Sequence, residues 1–127
     1  MLTILLSIKP EFAHRIMAGT KKFEYRKRIP REPVDRIIVY STCPECKVLG
    51  EVIVRGVLSG SYSSIWEQTK KDAGISRSKY REDFKGSSRA FAYILDGATA
   101  YEYPKDLASL GIDRAPQSFR CFKDDSL

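Results

Sequence analysis

Histidine and tryptophan each occur once among these 127 residues, methionine twice and cysteine three times. The single histidine, His14, has no serine or cysteine neighbour placed for a catalytic triad, and beside Arg15 on a helix it reads as an exposed residue. An odd cysteine count argues against the disulfide scaffold of a small secreted protein. No apolar stretch approaches the roughly 20 residues that span a bilayer, so no membrane partner is expected. The apolar opening Leu2–Ile8 lacks a basic start and a small-residue cleavage site, which argues against a secretory leader and predicts a soluble, cytoplasmic protein. Glycine-rich phosphate loops, Walker motifs and dinucleotide fingerprints are absent, and no cofactor or metal is expected. Repeats, linkers and low-complexity segments are missing too, which predicts one domain over residues 1–127.

What is present is ordinary globular material, 43% hydrophobic and 30% charged, enough for a core without staples. The net charge is +6, and its distribution is uneven. Residues 9–36 hold nine basic and four acidic residues, a net +5, while all other positions together contribute +1. An anionic partner, nucleic acid or nucleotide, would dock on that first third; a solvated basic face fits the same charge.

Apolar periodicity predicts the elements. Leu2–Ile8 is a strand, and Pro10 opens a helix whose apolar face is Phe12, Ala13, Ile16 and Met17, ended by Gly19. Alternation over Lys22–Arg28 predicts a second strand, with Phe23 and Tyr25 on one face and Lys22, Glu24, Arg26 and Arg28 on the other. Strands follow at Val34–Ser41 and Val48–Ser59, around a turn at Thr42–Lys47. Ser64 and Glu67 have capping-box spacing in a helix closed by Gly74. A second helix spans Ser76–Phe84. Strands at Arg89–Leu95 and Ala98–Tyr103, a helical turn at Asp106–Leu110, a last strand at Ser118–Phe122 and a frayed tail at Lys123–Leu127 complete the chain. The order β-α-β-β-β-α-α-β-β-β predicts an α+β fold with a mixed, largely antiparallel sheet, a small closed or nearly closed barrel with peripheral helices.

The Lys22–Glu24–Arg26–Arg28 face carries the most chemistry. Three cations flank one carboxylate, which would hold a guanidinium ready for a phosphate; Lys21 extends the basic surface. Tyr25 and Tyr40 are candidates for a surface on which a base stacks. A charged edge strand guarded against aggregation is the plainer explanation of the same residues. Cys43-Pro44-Glu45-Cys46 reads first as a structural turn, ahead of half a zinc site or a redox pair. Trp66 reads as a helix anchor rather than a stacking platform. The basic residues Lys70, Lys71, Arg77, Lys79 and Arg81, mixed with acids, read as a solvated helical face.

Leu6-Ser7-Ile8-Lys9-Pro10-Glu11-Phe12-Ala13, then Ile16-Met17-Ala18-Gly19-Thr20-Lys21-Lys22-Phe23-Glu24-Tyr25-Arg26-Lys27-Arg28, resembles the opening signature of ASCH domains. Ala115-Pro116-Gln117-Ser118-Phe119 resembles the closing segment of that family. The resemblance implies a PUA-like β-barrel in which the two blocks meet at a cleft beside the first helix. It implies an RNA- or nucleotide-binding, regulatory domain, with DNA carrying a modified base as a variant ligand. Lys9, Lys21, Lys22, Glu24, Arg26, Arg28, Tyr40, Gln117 and Ser118 are the implied binding residues. The alternative is a small hydrolase, ribonuclease-like or acting on a modified nucleoside, with Lys21 and Glu24 as candidate catalytic groups. One branch of the family deacetylates acetylated cytidine with a Lys, a Thr and a Glu. Lys21 matches that Lys, but Glu24 stands where the Thr would be, so that activity is not carried over.

Overall fold

The computed structural model describes residues 1–122; the tail expected at 123–127 lies outside the described residues. The described residues form six strands and three α-helices, joined by two short 3₁₀ segments. Strand β1 (Leu2–Ile8) leads through helix α1 (Pro10–Ala18) to β2 (Phe23–Arg26), β3 (Val34–Ser41) and β4 (Lys47–Ser61). Helices α2 (Tyr62–Thr69) and α3 (Arg77–Asp83) precede β5 (Arg89–Lys105), and β6 (Phe119–Phe122) closes the order. The strands lie as β2-β5-β4-β3-β1-β6, with β1 and β3 parallel and every other neighbouring pair antiparallel.

The sheet does not close into the expected barrel; β2 and β6 are its hydrogen-bonded edges. It curls instead, and the curl carries β2 back over the end of β1, where Arg26 Nη2 donates to the Ser7 carbonyl at 3.0 Å. Both faces are covered. Ile4, Leu6 and Ile8 of β1 pack with Phe12, Ala13 and Ile16 of α1, while Leu5 turns the other way onto Ile38, Tyr40 and Ile112. That two-sided burial explains why β1 reads as a continuous apolar run rather than an alternating one.

The two strands expected at Arg89–Leu95 and Ala98–Tyr103 are one. Asp96-Gly97 looks like a turn, but Gly97 (φ +74°) is an extra residue between Asp96, opposite Ile53, and Ala98, opposite Val52. A glycine in this left-handed conformation lets the strand bulge and run on. On β4 the matching extra residue is Arg55, whose Nε lies 2.7 Å from Asp96 Oδ2. The capping expectation at Ser64 is also corrected. Ser61 caps α2 by accepting from the Ser64 N–H, and Ser64 Oγ accepts from Gln68. Ser76 caps α3 in the same way.

The segment from α2 to α3 lies on the sheet through Ile65, Trp66, Tyr80 and Phe84, which pack against Ala90 and Ala92 of β5. Trp66 stacks at 4.9 Å from Tyr80 and is an anchor. The Cys43–Cys46 turn holds its two sulfurs in a disulfide. No helix among the described residues is long and apolar enough to cross a membrane.

Gly50 on β4 sits where β4, β5 and α1 meet. A Cβ there would collide with the Thr99 carbonyl oxygen, with Met17 Cε at 2.6 Å and with Ala100 Cα at 2.9 Å. Because two of these atoms are backbone, Gly50→Ala is expected to cost roughly 1–3 kcal/mol. Urea unfolding against the unsubstituted protein measures it; an unchanged midpoint would show that β4 and β5 separate freely at this point.

Candidate nucleic-acid interface

Helix α1 ends at Gly19 in the left-handed conformation, and the N–H groups of Thr20 and Lys21 both donate to the Arg15 carbonyl. This turn swings the chain inward before β2 begins, so Lys21 is buried and Lys22 is exposed. The alternation expected from Lys22 onward therefore starts one residue late. Lys22 lines a separate groove of about 400 Å³ between the end of α1 and Leu95–Ala98. Lys21 takes the inward place instead.

From β2, Glu24 and Arg26 point into a cleft of about 510 Å³. Glu24 Oε2 forms an ion pair with Arg26 Nη2 at 3.1 Å, and Glu24 Oε1 lies 4.0 Å from Lys21 Nζ. Arg26 Nη2 also reaches the Ser7 carbonyl, and Ser7 Oγ donates to the Pro116 carbonyl at 2.8 Å. Lys21 Nζ donates to the Ala73 carbonyl at 2.8 Å on the far side. A continuous polar chain thus links residue 116, β1, β2 and the α2–α3 segment. A carboxylate placed between two cations is held in one orientation and fixes them in turn.

Lys21 is nearly sealed from water, its side chain 2% exposed. Its ammonium lies over the rings of Tyr25 (4.9 Å to the centroid) and Phe12 (5.7 Å). Burial lowers its pKa from the ordinary 10.5, and Glu24 opposes that effect. Gly74 makes the close approach possible: with φ +65° it tolerates no side chain, and a Cβ there would overlap the stem of Lys21.

The walls are apolar and aromatic. Phe12 comes from α1, Tyr25 from β2, Ile75 from the inter-helix loop, and Tyr80 and Phe84 from α3. Tyr25 donates to Thr69 Oγ1 at 2.7 Å, and burial raises its pKa to about 12. Lys9, Lys27, Arg28, Gln117 and Ser118 complete the lining. The structure therefore brings Lys9, Lys21, Glu24, Arg26, Arg28, Gln117 and Ser118 together in one cleft, and leaves out Lys22 and Tyr40. Tyr40 is 5% exposed and packs with Leu5, Ile38, Val48 and Ile112 on the other side of the sheet, so it offers no surface to a base. A tyrosine at a strand end was read as exposed because the helical turn covering it, at Leu107–Leu110, is distant in sequence. Phe12, Tyr80, Asp83 and Phe84 escaped the sequence reading as cleft residues; the three aromatics bear the ordinary mark of helix packing, and Asp83 that of a solvated helix face.

Comparison with known proteins adds four findings. The ASCH domain profile matches residues 6–104. Large ribosomal subunit protein uL22 of Ureaplasma parvum is 33% identical over 122 residues, which is 95% of this chain and 39% of that protein. An ASCH domain-containing ribonuclease of Zymomonas mobilis is 34% identical over 92 residues, 72% of this chain and 62% of that protein. The chain thus spans less than two thirds of the length of either relative. The crystal structure of ASCH from Zymomonas mobilis superimposes with a TM-score of 0.89 at 29% identity, covering 98% of this chain and 90% of that one.

The buried Lys21 makes a distinct pH signature. The unfolded chain takes up this proton at about 10.5 and the folded chain only at lower pH, so within that window the unfolded state holds more protons. Folding stability contributed by Lys21 therefore rises with pH across the window, by at most about 1.4 kcal/mol per pH unit crossed. Tyr25, Tyr80, Tyr93 and Tyr101, raised to about 12 by burial, pull the opposite way above pH 10. Comparing the native protein with Lys21→Met in urea from pH 7 to 10.5 cancels the tyrosines. The stability difference is expected to climb in favour of the native protein as pH rises; a flat difference would place Lys21 in water.

Proposed function

Because the chain belongs to the ASCH domain family, we propose that it binds single-stranded RNA, or a nucleotide, in the cleft between α1, β2 and α3. The observation that carries this reading is the fixed Glu24–Arg26 pair at the floor of an aromatic-walled pocket. A nucleotide needs both features. Its phosphate seeks an arginine whose orientation is already set, which loses little entropy on binding. Its base seeks apolar and aromatic surface for stacking, which the half-buried ring of Tyr25 offers, backed by the buried rings of Phe12, Tyr80 and Phe84. Lys9, Lys27 and Arg28 supply charge at the rim. A pocket of about 510 Å³ suits one unstacked nucleotide, not the width of a duplex. DNA bearing a modified base is the variant ligand.

RNA cleavage is the second reading, favoured by the burial of Lys21 beside Glu24 and by the ribonuclease name of the Zymomonas mobilis relative. The attacking group would be the RNA's own 2′-hydroxyl. Glu24 Oε1 would take its proton as the 2′-oxygen bonds to phosphorus, and the departing 5′-oxygen would take a proton from Lys21. The charge gathered on the phosphorane would be held by Arg26.

Anisotropy titrations of a short single-stranded RNA test the binding reading. Affinity is expected to fall steeply with salt, and Arg28→Ala to lower the magnitude of the log–log slope by up to about one. An affinity indifferent to salt would overturn it. Glu24→Gln separates the two readings once circular dichroism shows that the variant folds. If the cleft only binds, Gln keeps the shape and removes a negative charge, so affinity holds or rises. If the cleft also cleaves, turnover by the native protein is expected to drop roughly 10²- to 10⁴-fold with affinity retained.

A further inference from the structure

Five cations and two carboxylates line the cleft, and the two carboxylates differ in kind. Glu24 has a side chain 10% exposed and lies between Arg26 and Lys21, so its oxygens are committed. Asp83, on α3, has a side chain 44% exposed, and Lys79 Nζ meets its Oδ1 at 3.1 Å. Among the described residues Asp83 Oδ2 has no ion-pair partner. A carboxylate open to solvent is out of place in a cleft that grips phosphate alone, because it repels the backbone it would have to admit. Helix stability does not account for it either. Asp83 is the last residue of α3 and follows its lysine, which is the less favourable order along a helix.

The position of Asp83 against the aromatic wall is set by packing. The Tyr25 ring meets the Tyr80 ring edge-on, with 4.9 Å between centroids. Tyr80 is buried, its hydroxyl donates to the Tyr62 carbonyl, and Phe84 lies 4.8 Å from it, so α3 is anchored at this point. Asp83 comes three residues after Tyr80 and therefore shares its side of the helix; both line the cleft. The stacking surface of Tyr25 is thus flanked by the helix that carries the open carboxylate.

Resting on the nucleotide reading above, we propose that Asp83 reads the base, accepting from the exocyclic amino group of cytosine, adenine or guanine and rejecting uracil. Electrostatics sets the orientation. Arg26 on β2, with Lys27 and Arg28 just after it, draws the phosphate, and Asp83 repels it. The sugar–phosphate therefore lies along β2, and the base, stacked on Tyr25, turns its polar edge toward α3. A carboxylate accepts hydrogen bonds and donates none, so it favours an edge that carries N–H groups. Cytosine N4, adenine N6 and guanine N2 carry them. Uracil has a carbonyl oxygen where cytosine has its amino group, and that oxygen is repelled. Lys79 holds Oδ1 and leaves Oδ2 to face the ligand.

Three short RNAs of equal length test this by anisotropy: an all-cytidine strand, an all-uridine strand, and a strand whose cytosines carry hydrogen in place of the amino group. Each is titrated into the native protein and into Asp83→Asn, a solvent-facing substitution whose fold circular dichroism checks. The native protein is expected to bind the cytidine strand roughly tenfold more tightly than either of the others. In Asp83→Asn the three affinities are expected to converge, since an amide can donate to uracil as readily as it accepts from cytosine. The ratio between strands is the readout, because removing a negative charge from the cleft raises the affinity for every RNA. If the native protein binds the cytidine strand no better than the other two, or if its preference persists in Asp83→Asn, base reading by Asp83 is overturned and the nucleotide reading stands without it. If none of the strands binds the native protein, the nucleotide reading itself falls, and base reading with it.

Discussion

The buried carboxylate of Glu24 is the constraint on which the cleft depends. It is 7% exposed, yet it must stay satisfied, and the fold satisfies it with two cations from its own strand region, Arg26 and Lys21. Each cation then needs a second partner. Arg26 finds the carbonyl of Ser7 and Lys21 that of Ala73. One carboxyl group and its two cations therefore tie β1, β2 and the α2–α3 segment together. Such buried ion pairs contribute little net stability, because desolvation offsets their attraction. Their effect is geometric, since removing one partner leaves the others with no alternative solvent.

The curl of the sheet serves the same end. An open six-stranded order leaves β2 and β1 four places apart in hydrogen bonding, yet Arg26 bridges them directly. The bulges at Gly97 and Arg55 lie on the two long central strands, where an added residue raises local twist. The α2–α3 segment then roofs the concave side with Trp66, Tyr80 and Phe84. The PUA-like architecture of the family is thus reached by bending a mixed sheet rather than by closing one.

Much of this was legible in the residues. Apolar runs, and alternation at β2, located the strands of the sheet, with β5 read as two, and Pro10 and Gly19 marked both ends of α1 because proline and glycine act locally. The Lys-Glu-Arg alternation located the floor of the cleft for the same reason, since a strand's parity is a local property. Most of what failed was non-local. Asp96-Gly97 carries the chemistry of a turn, and only pairing with β4 converts it to a bulge. Lys22 lost its expected face to Lys21 for a local reason, the turn at Gly19 that resets the parity upstream of β2. Tyr40 was lost to the core because the segment that buries it comes some 70 residues later in the chain. Of the aromatic walls only Tyr25 carried a signal, since an aromatic residue facing a cleft and one facing a core are otherwise alike in sequence.

The bond from Ser7 to the Pro116 carbonyl, with Gln117 and Ser118 on the cleft wall, joins the seventh residue to positions near 118. During synthesis the chain emerges in order, so β1 is exposed long before its partner. A nascent chain halted at α3 would already display the basic stretch of β2 but would lack one wall of the cleft and the antiparallel neighbour of β1. Completion of the cleft is in this sense a late event in translation. The floor on β2 waits for its sheet partner β5, and its enclosure waits until Ser118 has cleared the ribosomal exit.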